Sequence, residues 1–404
     1  MGILKALVLI ILVISNIGCT NLQPTSPETF TEPNFKAIGH RPIKLPEIPV
    51  SEAVSKDVIS NDINEILKLA ETGNTDAQLK LGATYYAGKG VPQDYKEAAK
   101  WLKLSATQGD KKAQYMIGAI FAKGDGVPQD YKEAAKWLKL SAAQGYAYGQ
   151  NDLGAIYQKG QGVPKDYSEA IKWYRLAAVQ GYAGAQNNLG IMYELGLGVP
   201  KDYSEAIKWL KLSAVQGNGD AQSSLGMIYL SGNTEQGVPE DTNEAFKWFK
   251  LSADQGNPRS QSTLGLMYKF GKGTAQDYNQ ANKLFRLAAV QGHKPAQLML
   301  GKMSANGDGV PQDYNEAAKW FRLAAVQGDF DAQAGLGALY AIGKGVPQDY
   351  VLAYMWLVLA SKQDNAGAQQ IVIDFIMKKM TPEQVAQAQA KLKVCLTANY
   401  KDCH

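Results

Sequence analysis

One phrase keeps returning along this chain. Residues 126–145 read GVPQDYKEAAKWLKLSAAQG, residues 90–109 repeat it with Thr107 in place of Ala143, and variants begin at residues 162, 198, 237, 273, 309 and 345. Registered on a glutamine that precedes the phrase, the copies place Gln78, Gln114, Gln150, Gln186, Gln222, Gln261, Gln297, Gln333 and Gln369 at intervals of 36 residues, with one interval of 39. The three additional residues fall in SGNTEQGVP, between Gly232 and Gly237. A fixed period of this length, sustained through most of 404 residues, restricts the chain to a solenoid of stacked helix pairs.

Each unit divides at its loop. In TDAQLKLGATYYAG, Ala77, Leu81 and Tyr85 recur at i, i+4 and i+8 and predict a first helix, A, with one apolar face. Gly82 follows Leu81 and returns as Gly118, Gly154, Gly190, Gly226, Gly265, Gly301 and Gly337. Glycine inside a helix destabilises it by about 1 kcal/mol relative to alanine. Its return in every unit therefore predicts a partner helix that passes too close for a Cβ. Gly88 and Gly90 end helix A, and Pro92 fixes the turn while withholding an N–H from any helix. Asp94 with Glu97 three residues later has the spacing of a capping box, with Asp in place of Ser or Thr. Helix B, YKEAAKWLKLSATQ, then turns Tyr95, Ala98, Trp101, Leu102 and Ala106 inward and Lys96, Glu97, Lys100 and Lys103 outward, and Gly109 stops it.

The ends read as caps. Residues 59–74 form an N-terminal capping helix with Ile63, Ile66, Leu67 and Ala70 on one face, and residues 75–369 hold the repeats. Residues 370–404 supply C-terminal capping helices and a tail, in which Thr381-Pro382-Glu383-Gln384 predicts a capping box with proline at the first helical position. The expected fold is all-α: a superhelix of about eight 36-residue helix pairs, capped at both ends.

The pattern A-Q-x-x-L-G-x-x-Y-x-x-G-x-G-V-P-x-D-Y-x-E-A-x-x-W-x-x-x-A-A-x-Q-G resembles the Sel-1-like repeat, a longer-loop relative of the tetratricopeptide repeat. The resemblance covers residues 74 to about 369, and a closing helix that begins M-T-P-E-Q is similar to the last segment of many such proteins. Single units depart from the pattern: Leu284 stands for the tryptophan, Ser304 for the helix A aromatic, and Asp364 for the final glycine. The resemblance implies that the superhelix is right-handed, with protein or peptide binding on the concave face lined by A helices.

The N-terminus, MGILKALVLIILVISNIGCTN, has Lys5, an apolar run from Ala6 to Ile14, and a Gly18-Cys19 close, which reads as a signal peptide over residues 1–18. Its end resembles the lipobox of bacterial lipoproteins, although Asn16 stands where that pattern usually has leucine. On this reading Cys19 carries the lipid, and the proline-rich stretch 19–58 is an extended tether. Thr20 after the cysteine points to the periplasmic side of the outer membrane; secretion with an incidental cysteine is the alternative. With Cys19 acylated, Cys395 and Cys403 are left either as a disulfide pair or as two free thiols.

Chemistry is hard to find among these letters. The three histidines, His40, His293 and His404, share no motif spacing, so neither a metal site nor a triad is expected. FGKGT at 270–274 lacks the phosphate-loop order. Net charge is only +4, from 42 basic and 38 acidic residues without a sustained basic block, which argues against a nucleic-acid partner. No enzymatic activity, cofactor or small-molecule substrate is expected. Partner binding is assigned to the variable helix A positions, where Ile191, Leu195, Met227, Leu230, Leu266 and Phe270 form an apolar strip flanked by Glu194, Arg259 and Lys269. The alternative is that these side chains pack between neighbouring A helices. The expected function is an adaptor or scaffold in the bacterial cell envelope; the alternatives are an envelope enzyme or binder of peptidoglycan or β-lactams, and an exported factor that engages host proteins.

Overall fold

The computed structural model describes residues 62–233, 237–361, 373–398, 400 and 403. The signal segment, Cys19, the tether, His40, Gln369 and His404 lie outside the described residues. Every regular element among the described residues is an α-helix, and one isolated antiparallel bridge, Asn233 with Val238, closes the loop that carries the insertion. Helix α1 (Asp62–Glu71) precedes the repeats. Repeats 1 to 4 supply α2 (Thr75–Ala87), α3 (Tyr95–Thr107), α4 (Lys111–Lys123), α5 (Tyr131–Ala143), α6 (Ala147–Lys159), α7 (Tyr167–Val179), α8 (Ala183–Leu195) and α9 (Tyr203–Val215). Repeats 5 to 8 supply α10 (Gly219–Ser231), α11 (Thr242–Asp254), α12 (Pro258–Phe270), α13 (Tyr278–Val290), α14 (Lys294–Asn306), α15 (Tyr314–Ala325), α16 (Phe330–Ile342) and α17 (Tyr350–Ala360); α18 (Pro382–Thr397) follows. Even-numbered helices up to α16 are A helices; each except α10 packs along the B helix that follows it, and α10 sets Met227 and Leu230 against the cluster that holds Phe249 of α11. The helices gather into two compact units that divide inside α10, between Leu225 and Gly226.

The mid-helix glycines are where A meets B. A Cβ on Gly82 would lie 2.6 Å from Leu102 Cγ, and one on Gly154 would lie 2.9 Å from the Tyr174 ring and 3.1 Å from the Ala170 carbonyl oxygen. The close partner is thus helix B of the same repeat. A second glycine in each loop does a different job. A Cβ on Gly126 would sit 2.5 Å from the Tyr95 carbonyl carbon and 2.7 Å from the Lys96 nitrogen, so this loop of repeat 2 rests on the backbone that opens helix B of repeat 1. Gly162 rests likewise on Tyr131 and Gly198 on Tyr167, whereas Gly237, after the insertion, has nothing within 4 Å.

The cap on helix B is only half of the expected box. Asp94 Oδ1 accepts from the Lys96 and Glu97 N–H groups at 2.9 and 3.1 Å, as a capping aspartate should. The reciprocal bond is absent because the Asp94 N–H already donates to the Tyr85 carbonyl at the end of helix A, at 3.1 Å. Glu97 is turned the other way, where it accepts from the Trp101 indole N–H at 3.1 Å and pairs with Lys100. Glu169 with Trp173, Glu205 with Trp209 and Glu316 with Trp320 repeat this arrangement. A full box does form at Thr381 and Gln384, which bond each other's backbone N–H groups with Pro382 at the head of α18.

The registering glutamine is a clasp. Gln114 Nε2 donates to the Ala106 carbonyl near the end of the preceding B helix, and its Oε1 accepts from Gln144 Nε2 at 2.8 Å. The buried side chain thereby ties three consecutive helices, α3, α4 and α5. Gln150, Gln186 and Gln297 make the same two bonds, and Gln333 repeats the donation to the preceding helix. Around these clasps the cores are aliphatic and aromatic, with Tyr115, Leu138 and Leu153 in one cluster and Phe249, Leu264 and Met267 in another. The C-terminal end is the most apolar part. Val351, Ala353, Met355, Trp356, Leu357 and Leu359 of α17 are all buried, and Ile373, Ile376 and α18 join their cluster. Cys395 and Cys403 lie buried there, joined in a disulfide with Cα atoms 4.6 Å apart.

Candidate partner-binding surface

Ile191 and Leu195 stand on α8, Met227 and Leu230 on α10, and Leu266 and Phe270 on α12. Five of the six are half-buried, and Phe270 is 44% exposed. Met227 and Leu230 lean on the cluster of Phe249, Leu264 and Met267, and Leu266 leans on that of Phe285, Leu300 and Met303. These three side chains therefore contribute to packing as well as to surface. Phe270, in the last turn of α12, has the Lys269 ammonium 5.8 Å from its ring centre. That ammonium also bonds Asp308 at 3.1 Å, which anchors it to the following repeat's loop. Glu194, a flanking residue, has its carboxyl pushed up to about 7, chiefly by burial, which outweighs the attraction of Lys201.

A polar seam in repeats 2 to 4 was not anticipated from the sequence. Asn187 Nδ2 donates to Asn188 Oδ1 at 3.4 Å, Asn188 Nδ2 donates to Asn151 Oδ1 at 2.9 Å, and Asn151 Nδ2 donates to Asp152 Oδ1 at 2.9 Å. Three amides in a row thus point at one carboxyl group, whose residue is 1% exposed. Asp152 Oδ2, Asn187 Oδ1 and the Tyr115 hydroxyl have no hydrogen-bond partner. Burial pushes the Asp152 carboxyl up to about 7, against the pull of its Asn151 bond, the facing Tyr115 hydroxyl, and Lys123 and Lys159. Tyr115, Tyr146, Tyr148 and Tyr182 stack beside it with ring centres 4.7–5.8 Å apart. The signal that marks this seam is a polar pair, Asn151-Asp152 then Asn187-Asn188, at a helix A position filled elsewhere by Leu79, Ser223 or Ala334.

Among the described residues no group of three or more His, Cys, Asp or Glu side chains could hold a metal ion. His293 caps α14 without a side-chain bond, and burial, helped by Arg259, lowers it to about 4. A shallow cleft of about 360 Å³ lies on the opposite, helix B side, between α7 and the Val199 loop, lined by Ile171, Lys172, Arg175 and Leu176.

This architecture of helix pairs, seated glycines and glutamine clasps defines a repeat scaffold. A model of the Sel1 repeat matches eight consecutive segments, 75–110, 111–146, 147–182, 183–218, 219–257, 258–293, 294–329 and 330–365, and the chain belongs to the Sel1 repeat family. It is similar to the crystal structure of a Sel1 repeat protein from Oxalobacter formigenes, with 30% identity over 84% of this chain and 99% of that one, and a TM-score of 0.58. It is also similar to a protective antigen of uropathogenic Escherichia coli strains that displays an SLR fold, with 30% identity over 93% and 96% of the two chains and a TM-score of 0.44. No curated protein matches the chain. Sel1 repeats generally mediate protein–protein interaction, and proteins built from them are typically scaffolds without catalysis of their own.

Proposed function

We propose that this protein is an interaction scaffold of the bacterial cell envelope, held at a membrane by a lipid on Cys19 and binding a protein or peptide partner along its A helices. The repeated letters are consumed by folding: aspartates cap, glutamines clasp, glycines seat helices and glutamates hold indoles. The variable set on the A helices is left free to recognise a partner. The observation that carries the reading is Phe270, a large aromatic left 44% exposed at the end of α12, one turn beyond half-buried Leu266. Exposed aromatics next to apolar neighbours are favoured anchors for partners.

Crosslinking in intact cells with the full chain and with Phe270→Asp tests it. A partner captured by the wild type and lost from the variant supports the scaffold. Labelling by β-lactams or cleavage of muropeptides overturns it in favour of an enzyme. The anchor is tested separately: Cys19→Ser should move the protein from the membrane to the soluble fraction, and unchanged fractionation removes the lipid from the reading.

A further inference from the structure

We propose that Asp152 is a protonation switch that sets how tightly the A helices of repeats 2, 3 and 4 hold together, tight when its carboxyl is neutral and looser when it ionises. The geometry makes this side chain the meeting point of three repeats. Asn151 of its own α6 donates to Oδ1, Asn188 and Asn187 of α8 line up behind that amide, and Tyr115 of α4 faces the carboxyl. In the neutral form Oδ1 keeps the Asn151 bond while Oδ2–H becomes a donor within a site that also holds the unpartnered Tyr115 hydroxyl oxygen. In the ionised form the carboxylate has only the Asn151 amide and the facing Tyr115 hydroxyl, with no cation bonded to it, in a place where a buried charge is costly.

The groups that act on this carboxyl from every packed element are few. Lys123 at the end of α4 and Lys159 at the end of α6 favour the charge; Tyr115 of α4, Tyr174 of α7 and Tyr182 at the head of α8 surround it with phenols whose own ionisation burial suppresses. The balance leaves the folded carboxyl near 7 against 3.8 for the free side chain. A folded value above the unfolded one means that the stabilisation is complete at low pH. It is lost as pH rises from about 4 to about 7, and is level above that, by about tenfold in the opening equilibrium per pH unit. Glu194, one repeat along and also shifted to about 7, titrates in the same window and requires its own control.

The experiment compares thermal melts of the full chain, Asp152→Asn and Glu194→Gln from about pH 4.5 to about pH 7.5. Asparagine keeps the shape and removes the charge. The proposal expects Asp152→Asn to melt above the wild type at the upper pH, with the gap closing as pH falls. In the unmutated chain, hydrogen exchange corrected for intrinsic rates should lose protection in α4, α6 and α8 over this window, and not in α14. A gap that is constant with pH, an Asp152→Asn variant that melts below the wild type near neutrality, or exchange in α4, α6 and α8 that tracks α14 overturns it. A gap reproduced by Glu194→Gln and missing from Asp152→Asn assigns the titration to Glu194 and overturns it as well.

Discussion

Directly after the registering glutamine, repeats 3 and 4 carry Asn151-Asp152 and Asn187-Asn188, whereas repeat 8 carries Ala334-Gly335. All but Asn188 of these residues are buried, so the template enforces burial regardless of chemistry. In the first region three amides and a carboxyl interlock, with polar atoms left unpartnered. In the second, a Cβ on Gly335 would lie only 3.0 Å from the Phe321 ring, and the neighbouring cluster around Trp356 is built from apolar and aromatic side chains with the Cys395–Cys403 link. The contrast teaches that the repeat fixes which positions are inside but leaves their chemistry open. One end is held by apolar packing and a disulfide, and the other by groups whose hold depends on protonation.

Several substitutions break or sharpen this contrast. Trp356→Ala removes a fully buried indole from the apolar end and should cost about 3–5 kcal/mol in chemical denaturation; a loss below about 1 kcal/mol would show that end to be loosely packed. Cutting the Cys395–Cys403 link, by reduction or by serine at both positions, should cost about 2–3 kcal/mol, seen as a lowered melting temperature. Gln150→Leu removes one bond from the Ala142 carbonyl, which keeps the Gly145 N–H, and one from the Gln180 amide, which keeps the Leu176 carbonyl, and should cost about 1–3 kcal/mol for the two bonds. Gln333→Leu removes only the donation to the Ala325 carbonyl, since Gln333 Oε1 has no hydrogen-bond partner, and should cost about 0.5–1.5 kcal/mol; a difference of more than about 2 kcal/mol between the two would mean that the polar seam shares the clasp's load. Phe270→Asp, outside both regions, should change stability by less than about 0.5 kcal/mol. Leu230→Asp is the poorer probe, since Leu230 packs on the Phe249 cluster and its loss would confound binding with folding.

Much of the fold could be read from the letters because repetition exposes constraint. The glycine at Gly82 and its equivalents announced a close helix, and the structure places Leu102 or its counterpart there. Asp94 announced a cap. The partner of Glu97 was not legible, because a capping box and an indole acceptor share the i, i+3, i+4 spacing, and only the Tyr85 bond to the Asp94 N–H decides between them. The clasp of Gln114 was visible as a constant letter but not as a bond, since its partners Ala106 and Gln144 lie on two other helices. The Asp152 seam was hidden for a further reason. It needs Tyr115, Asp152 and Asn188 from three repeats at once, and no single unit displays it.

The loop glycines that rest on the preceding repeat bear on how such a chain can lengthen. Gly126, Gly162 and Gly198 meet mainly the backbone of the residue that opens the previous B helix, so the joint reads main-chain shape rather than side-chain identity. A duplicated segment of one full period brings its own seat and its own glycine, and fits wherever it is copied. A shorter insertion would lift the glycine off its seat. The three extra residues of this chain precede Gly237, where an added Cβ would meet nothing within 4 Å. Growth by whole units is therefore nearly free of redesign, while growth by fractions is tolerated where a seat has been given up.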